Sequence, residues 1–155
     1  MNQINYEEID PEIRDIVRNF NIAGYETTQS CQGHYSEDEG TIIPYIRFKR
    51  PNDATMTSFV INNLTKIMHV NMLIPIPIEM CIEKEYENGE IFFNTDLDRF
   101  MTNITEDDFE IGIYLNSYLI NDVSEFLKLR KLFLKELYEL SMYLIKCVEV
   151  YKECC

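Results

Sequence analysis

Leu73 to Thr95 reads LIPIPIEMCIEKEYENGEIFFNT, and this stretch decides what kind of sheet the chain builds. Asn88-Gly89 is a favoured pair for a two-residue hairpin turn, because both residues tolerate positive φ. Around it apolar and charged residues alternate, the period of a strand with one buried face. With a two-residue turn at Asn88-Gly89, Ile78, Met80, Ile82, Tyr86, Ile91 and Phe93 share one face, and Glu79, Glu83 and Glu85 take the other. One side is then core and the other water. Pro75 and Pro77 lack the N–H that a central strand needs, which keeps the start of the run at a sheet edge or outside the ladder.

Toward the N-terminus, Asp10-Pro11 opens a helix. Asp10 suits the N-cap, Pro11 suits the first turn, and Ile13, Ile16, Val17 and Phe20 form one apolar stripe. Gly24 stops it in the position where glycine usually ends helices. Tyr25 to Cys31 reads as a strand, Tyr35 to Thr41 as a polar loop, and Pro44 to Lys49 as a second, half-buried strand. Asp53 caps an expected middle helix that runs to about His69, with Phe59, Val60, Leu64, Ile67 and Met68 on its buried face. Phe109 to Leu119 is a further strand. Asp122 and Glu125 form a capping box for a long terminal helix, striped by Phe126, Phe133, Leu137, Leu140, Leu144 and Val148. The order α-β-β-α-β-β-β-α predicts an α+β fold, a mostly antiparallel sheet with helices on one face. No repeat, linker or composition break divides residues 1–155, so a single domain is expected.

The chain carries 27 acidic and 14 basic residues, a net charge of −13. That charge disfavours non-specific binding to nucleic acid or to an anionic membrane surface. A polar, acidic beginning without a leader, and the lack of any apolar run of ~18 residues, predict a cytoplasmic protein with no membrane span. The five cysteines have no framework spacing and are expected to be reduced thiols.

Reactive chemistry gathers most closely in Gly24 to His34, GYETTQSCQGH. Cys31 and His34 are two residues apart across a turn that Gly33 permits. A structural zinc site usually needs four ligands. Only His69 and four other cysteines remain, with no second paired spacing, so neither metal nor cofactor is expected. A second reading makes Cys31 a nucleophile activated by His34. A third makes the turn a ligand cradle: Thr28, Ser30, Gln32 and the Gly33 amide supply hydrogen bonds and His34 an adjustable one, while Tyr25 and Tyr45 offer stacking surfaces. Arg47 and Lys49, at alternate strand positions, project together and suit phosphate. Lys128, Lys131 and Lys135 share a helix face at helical spacing, which ordinary surface charge explains. The acidic groups at Glu37-Asp38-Glu39, Asp96/Asp98 and Glu106-Asp107-Asp108 lack the spacing of a calcium loop.

YETTQSCQGH, followed by PYIRF, resembles a signature of small uncharacterised proteins of phages and low-GC bacteria, in which an N-terminal helix and GYxTxxSCxGH precede a strand. The turn is also similar to the TTSSCSGR-type strand-turn of wybutosine-synthesis tRNA methyltransferases. Thr27, Thr28, Ser30, Cys31 and Gly33 match that pattern, while Gln29 and His34 depart from it. The resemblance covers the first third of the chain and implies a ligand site at the turn. Its phage character implies an anti-defence role, in which a host signalling nucleotide is sequestered. The leading expectation is therefore a non-enzymatic protein that binds a nucleotide-like ligand through Thr28, Ser30, Cys31, Gln32, Gly33, His34, Tyr45, Arg47 and Lys49. A homo-oligomer is an optional further partner. Two alternatives stand beside it: Cys31/His34 or methyl-transfer catalysis on a nucleotide or RNA, and an acidic interaction protein that blocks a basic nucleic-acid-binding partner.

Overall fold

The computed structural model describes residues 4–49, 78–85, 91–94, 110–115 and 122–154. After a short 3₁₀ turn, Tyr6–Glu8, helix α1 spans Pro11–Ile22. Among the described residues seven strands follow: β1 Thr27–Cys31, β2 His34–Ser36, β3 Gly40–Ile42, β4 Tyr45–Lys49, β5 Ile78–Glu85, β6 Ile91–Asn94 and β7 Glu110–Leu115. Helix α2, Val123–Cys154, closes the described chain. β1-β4-β7-β5-β6 form one sheet in that order, every neighbouring pair antiparallel, and β2-β3 form a separate ribbon. The fold is α+β. Helices at both ends of the described chain pack on one face of the sheet.

Each apolar stripe of the two helices lands in one core. Ile13, Ile16, Val17 and Phe20 of α1 meet Phe126, Phe133, Leu137, Leu140, Leu144 and Val148 of α2, over Ile46, Phe48, Ile111, Ile113 and Leu115 of the sheet. α1 ends in a Schellman motif. The Gly24 N–H donates to the Asn21 carbonyl (3.0 Å) and the Tyr25 N–H to the Phe20 carbonyl (2.9 Å). Gly24 takes the left-handed φ of 94° that this closure requires. The hydrophobic contact that accompanies such a cap is Tyr25 on Phe20, edge to face with ring centroids 6.2 Å apart. Tyr25 is thereby fully buried, between Phe20 and Phe48, and offers no stacking surface. At α2, Asp122 accepts the Glu125 N–H at 2.7 Å, the N-cap half of the expected box.

Three local expectations meet the structure differently. Tyr35 to Thr41, expected as a loop, contributes to the β2-β3 ribbon, with His34 opposite Ile42 and Ser36 opposite Gly40. Gly40 supplies a positive φ of 73° and lets the ribbon reverse. The β5-β6 hairpin exists, but its register is offset by one residue. Glu85 pairs with Ile91 and Glu83 with Phe93, where a two-residue Asn88-Gly89 turn would pair Tyr86 with Ile91. Register follows the length of the connection, so an odd number of intervening residues moves each residue's partner by one. The expected middle helix, Asp53 to His69, lies outside the described residues, as does the Asn88-Gly89 turn itself.

Candidate ligand-binding site

Residues 31–34 lie where three elements meet. Asp10 occupies the N-cap of α1, but its side chain makes no cap hydrogen bond to its own helix. Its Oδ2 accepts the Gln32 N–H at 3.3 Å instead, and Gln32 returns its Oε1 to the Glu12 N–H at 2.9 Å. One orphan donor of the helix N-terminus is thus satisfied from the turn, by a residue 20 positions away. Arg130 of α2 completes the junction. Its Nε donates to the Gly33 carbonyl at 2.7 Å and its guanidinium pairs with the Glu12 carboxylate. Gly33 itself is buried at φ 76°, and a Cβ there would stand 2.8 Å from Pro44 N and Cδ. Only glycine fits.

Cys31 and His34 point to different partners. The half-buried Cys31 Sγ accepts the Gly33 N–H at 3.4 Å. The exposed imidazole of His34 has its Nε2 3.4 Å from Glu39 Oε2 across the β2-β3 ribbon. Among the described residues no hydrogen bond joins the thiol to the imidazole. No group of three or more His, Cys, Asp or Glu side chains there is placed to hold a metal ion.

Strand alternation divides the remaining candidates. Ser30 pairs with Ile46 and so lies at a register position on the helix-covered face, whereas Cys31 pairs with Tyr45 on the opposite face. Thr28 is the extra residue of a β-bulge between Thr27 and Gln29, and its hydroxyl lies 3.5 Å from the Arg47 carbonyl. The face turned away from α1 and α2 is organised in rows across the sheet. Cys31, Tyr45, Tyr114 and Glu79 form one, Gln29, Arg47, Gly112 and Cys81 the next, and Lys49, Glu110 and Glu83 the third. Tyr45 and Tyr114 stack with centroids 5.4 Å apart at 23°. The Tyr114 ring lies over Gly112, so close that a Cβ on Gly112 would come within 2.4 Å of it. Beside this pair, Arg47 donates to Gln29 Oε1 at 2.9 Å and meets Glu110 Oε2 at 2.9 Å. Lys49 pairs with Glu26 at 3.3 Å. Both strand cations therefore already face carboxylates.

The structure thus brings together Cys31, Tyr45, Arg47 and Lys49, and uses Gln32 and Gly33 to join helix, turn and α2. Sequence reading missed Gln29, Glu110 and Tyr114 on the sheet face and Arg130 at the junction. Tyr114 carried a signal, since it falls two residues after a glycine in a strand, where a ring can cover the gap. Arg130 carried none. Compared with models of known protein families, with curated proteins and with solved structures, the chain matches none of them.

Proposed function

We propose that this chain is a binding protein, without turnover, for a nucleotide-like ligand held on the outer sheet face beside the Cys31–His34 turn. The observation that carries the reading is the stacked Tyr45–Tyr114 pair next to an oriented arginine. An aromatic face accepts a nucleobase by stacking, which is worth about 1–3 kcal/mol per base. Arg47, oriented by Gln29 and Glu110, sets a guanidinium beside the stacked rings, a group that suits carbonyl and phosphate oxygens. Catalysis by Cys31 has less support, because a nucleophile of that kind wants its base within hydrogen-bond reach and His34 is engaged with Glu39. With Glu110 and Glu26 opposite the cations, the ligand suited to this face carries one phosphate or none rather than a polyphosphate. Withdrawal of a signalling nucleotide is the role that stoichiometric binding would serve.

Isothermal titration with adenosine monophosphate and with inorganic phosphate tests the reading directly, alongside native mass spectrometry of freshly purified protein for a co-purified ligand. Binding of the nucleotide and not of phosphate is expected. Tyr45→Ala should weaken it by one to two decades, about 1–3 kcal/mol. His34→Ala should lower it while shifting the melting temperature little, because the side chain is exposed. Chemically altered nucleotide at catalytic protein concentrations would establish an enzyme instead.

A further inference from the structure

We propose that the groove between α1 and α2 is a second ligand site, for a small organic carboxylate with an aromatic or aliphatic body. The groove has a volume of about 310 Å³, at the lower end of the range that small-molecule sites occupy. The buried side chains of Ile16 and Leu134 form its floor, and Pro11 and the exposed Tyr138 add apolar surface at its sides. Lys131 and Lys135, one helical turn apart, line its α2 wall. Glu12 and Asp15 line its α1 wall.

The two walls differ in the charge they have left to offer. Glu12 is paired with Arg130, and Asp15 with Arg18 at 3.0 Å. Among the described residues neither Lys131 nor Lys135 takes part in an ion pair. The acids are thus answered by arginines outside the groove lining, and the ammoniums are the charges free to meet a ligand. Like charges four residues apart on a helix repel, a cost that an anion between them relieves. A carboxylate there accepts charge-assisted hydrogen bonds while its apolar body covers Ile16, Leu134 and the Tyr138 ring. The ends of the groove fix the size of the occupant. Side-chain bonds cross from α1 to α2 at Glu12–Arg130, and again from Asn19 to Ser141 (3.1 Å) and Met142 (3.4 Å). Residues 12 to 19 span about 10 Å of helix. A small molecule fits between those bridges, whereas a docked helix or extended peptide would have to cross them.

Amide NMR titration of the full chain with phenylbutyrate tests the site. Phenylbutylamine, the same body with the opposite charge, and acetate, the charge without the body, are the comparison probes. Saturable shifts at Ile16, Leu134 and Lys135 are expected for phenylbutyrate, with half-saturation at or below about 1 mM, and for neither comparison probe. Lys131→Met combined with Lys135→Met keeps both aliphatic stems at exposed positions and should weaken phenylbutyrate at least tenfold. Lys131→Glu combined with Lys135→Glu should reverse the preference, so that phenylbutylamine binds and phenylbutyrate does not. Circular dichroism checks that each variant is folded, and the double methionine variant decides the matter if the double glutamate variant is not. Lack of saturable shifts, acetate or phenylbutylamine binding as well as phenylbutyrate, or binding indifferent to the double methionine variant would each overturn the proposal. Tyr45 and Arg47 lie on the other face of the sheet, so adenosine monophosphate affinity should be unchanged in the double methionine variant. The groove and the proposed function therefore stand or fall separately.

Discussion

On the helix side of β4 and β7, Ile46, Phe48, Ile111, Ile113 and Leu115 are each at most 2% exposed, while on the other side Tyr45, Arg47, Glu110 and Tyr114 are half-buried. The same two strands therefore present two chemistries, one residue apart. Burial of apolar area is non-directional and additive, at roughly 25 cal/mol per Å², so the inner face carries most of the folding free energy. The outer face is built from directed contacts: a ring stack, a guanidinium held between an amide and a carboxylate, and a glycine roofed by tyrosine. Such contacts add little net stability and fix the orientation of polar groups. That is the division the proposed function calls for, with one face folding the domain and the other left to hold a ligand.

The strongest way to break this contrast is to truncate adjacent residues of β4. Phe48→Ala removes a fully buried ring that packs on Phe20 and Tyr25, and should cost about 3–5 kcal/mol. Arg47→Ala, next to it, should cost about 1 kcal/mol by the net worth of its hydrogen bonds, in the same urea titration. Comparable losses at the two positions would mean that the outer face is structural too.

Next in size is the junction that both faces share. Arg130→Met keeps the aliphatic stem but leaves the Gly33 carbonyl and the Glu12 carboxylate without their donor, at about 1.5–3 kcal/mol. If the junction serves mainly to hold the turn, this variant should also raise amide exchange at residues 31–34 more than in the β7 strand. Uniform loss of protection would assign Arg130 to global stability alone.

The contrast also explains what could be read from the sequence. Ile13, Ile16, Val17 and Phe20, and the α2 stripe from Phe126 to Val148, are buried as their period implied, because burial is encoded one residue at a time by hydropathy. Gly24 was legible as a helix stop, since a left-handed closure selects glycine locally. The site was less legible, for reasons of range. Gln32 caps a helix 20 residues back, and Arg130 bonds a carbonyl 97 residues away; neither partnership leaves a mark near either residue. The β5-β6 register slipped because Asn-Gly identifies a turn more securely than its length. The β2-β3 ribbon was missed because Tyr35 to Thr41 has no hydrophobic alternation to betray a strand.

Gly112 sharpens the contrast from the outer face. Gly112→Ala places a methyl where the Tyr114 ring now lies, so the ring must turn and its stack with Tyr45 is lost. Aromatic pairs are worth about 0.5–1.5 kcal/mol, and stability should fall by no more than that. Adenosine monophosphate affinity, measured on the same protein, should fall at least tenfold. Unchanged affinity would remove the tyrosine pair from the site.

The smallest effect belongs to Tyr25, which brings a polar atom into the inner face. Among the described residues its buried hydroxyl has no hydrogen-bond partner, and burial, with a lesser push from Cys147, raises its pKa far above the ordinary 10.0. Burial likewise raises Cys147 above 9.0, partly offset by its hydrogen bond with Tyr143. In both cases the folded chain holds a proton that the unfolded chain releases sooner. Bound protons then number more in the folded state, so stability is flat with respect to these groups below about pH 9 and falls as pH rises beyond it. Tyr25→Phe should leave stability at pH 7 unchanged or raise it by up to about 1 kcal/mol, because an unpartnered hydroxyl is removed without a cavity. The same substitution should flatten the decline above pH 10, leaving the Cys147 component, which Cys147→Ala in a Tyr25→Phe background would remove in turn. Urea titrations from pH 7 to 11 measure both effects. A loss above 1 kcal/mol at pH 7 would show that the hydroxyl has a partner, and that the inner face depends on a directed contact after all.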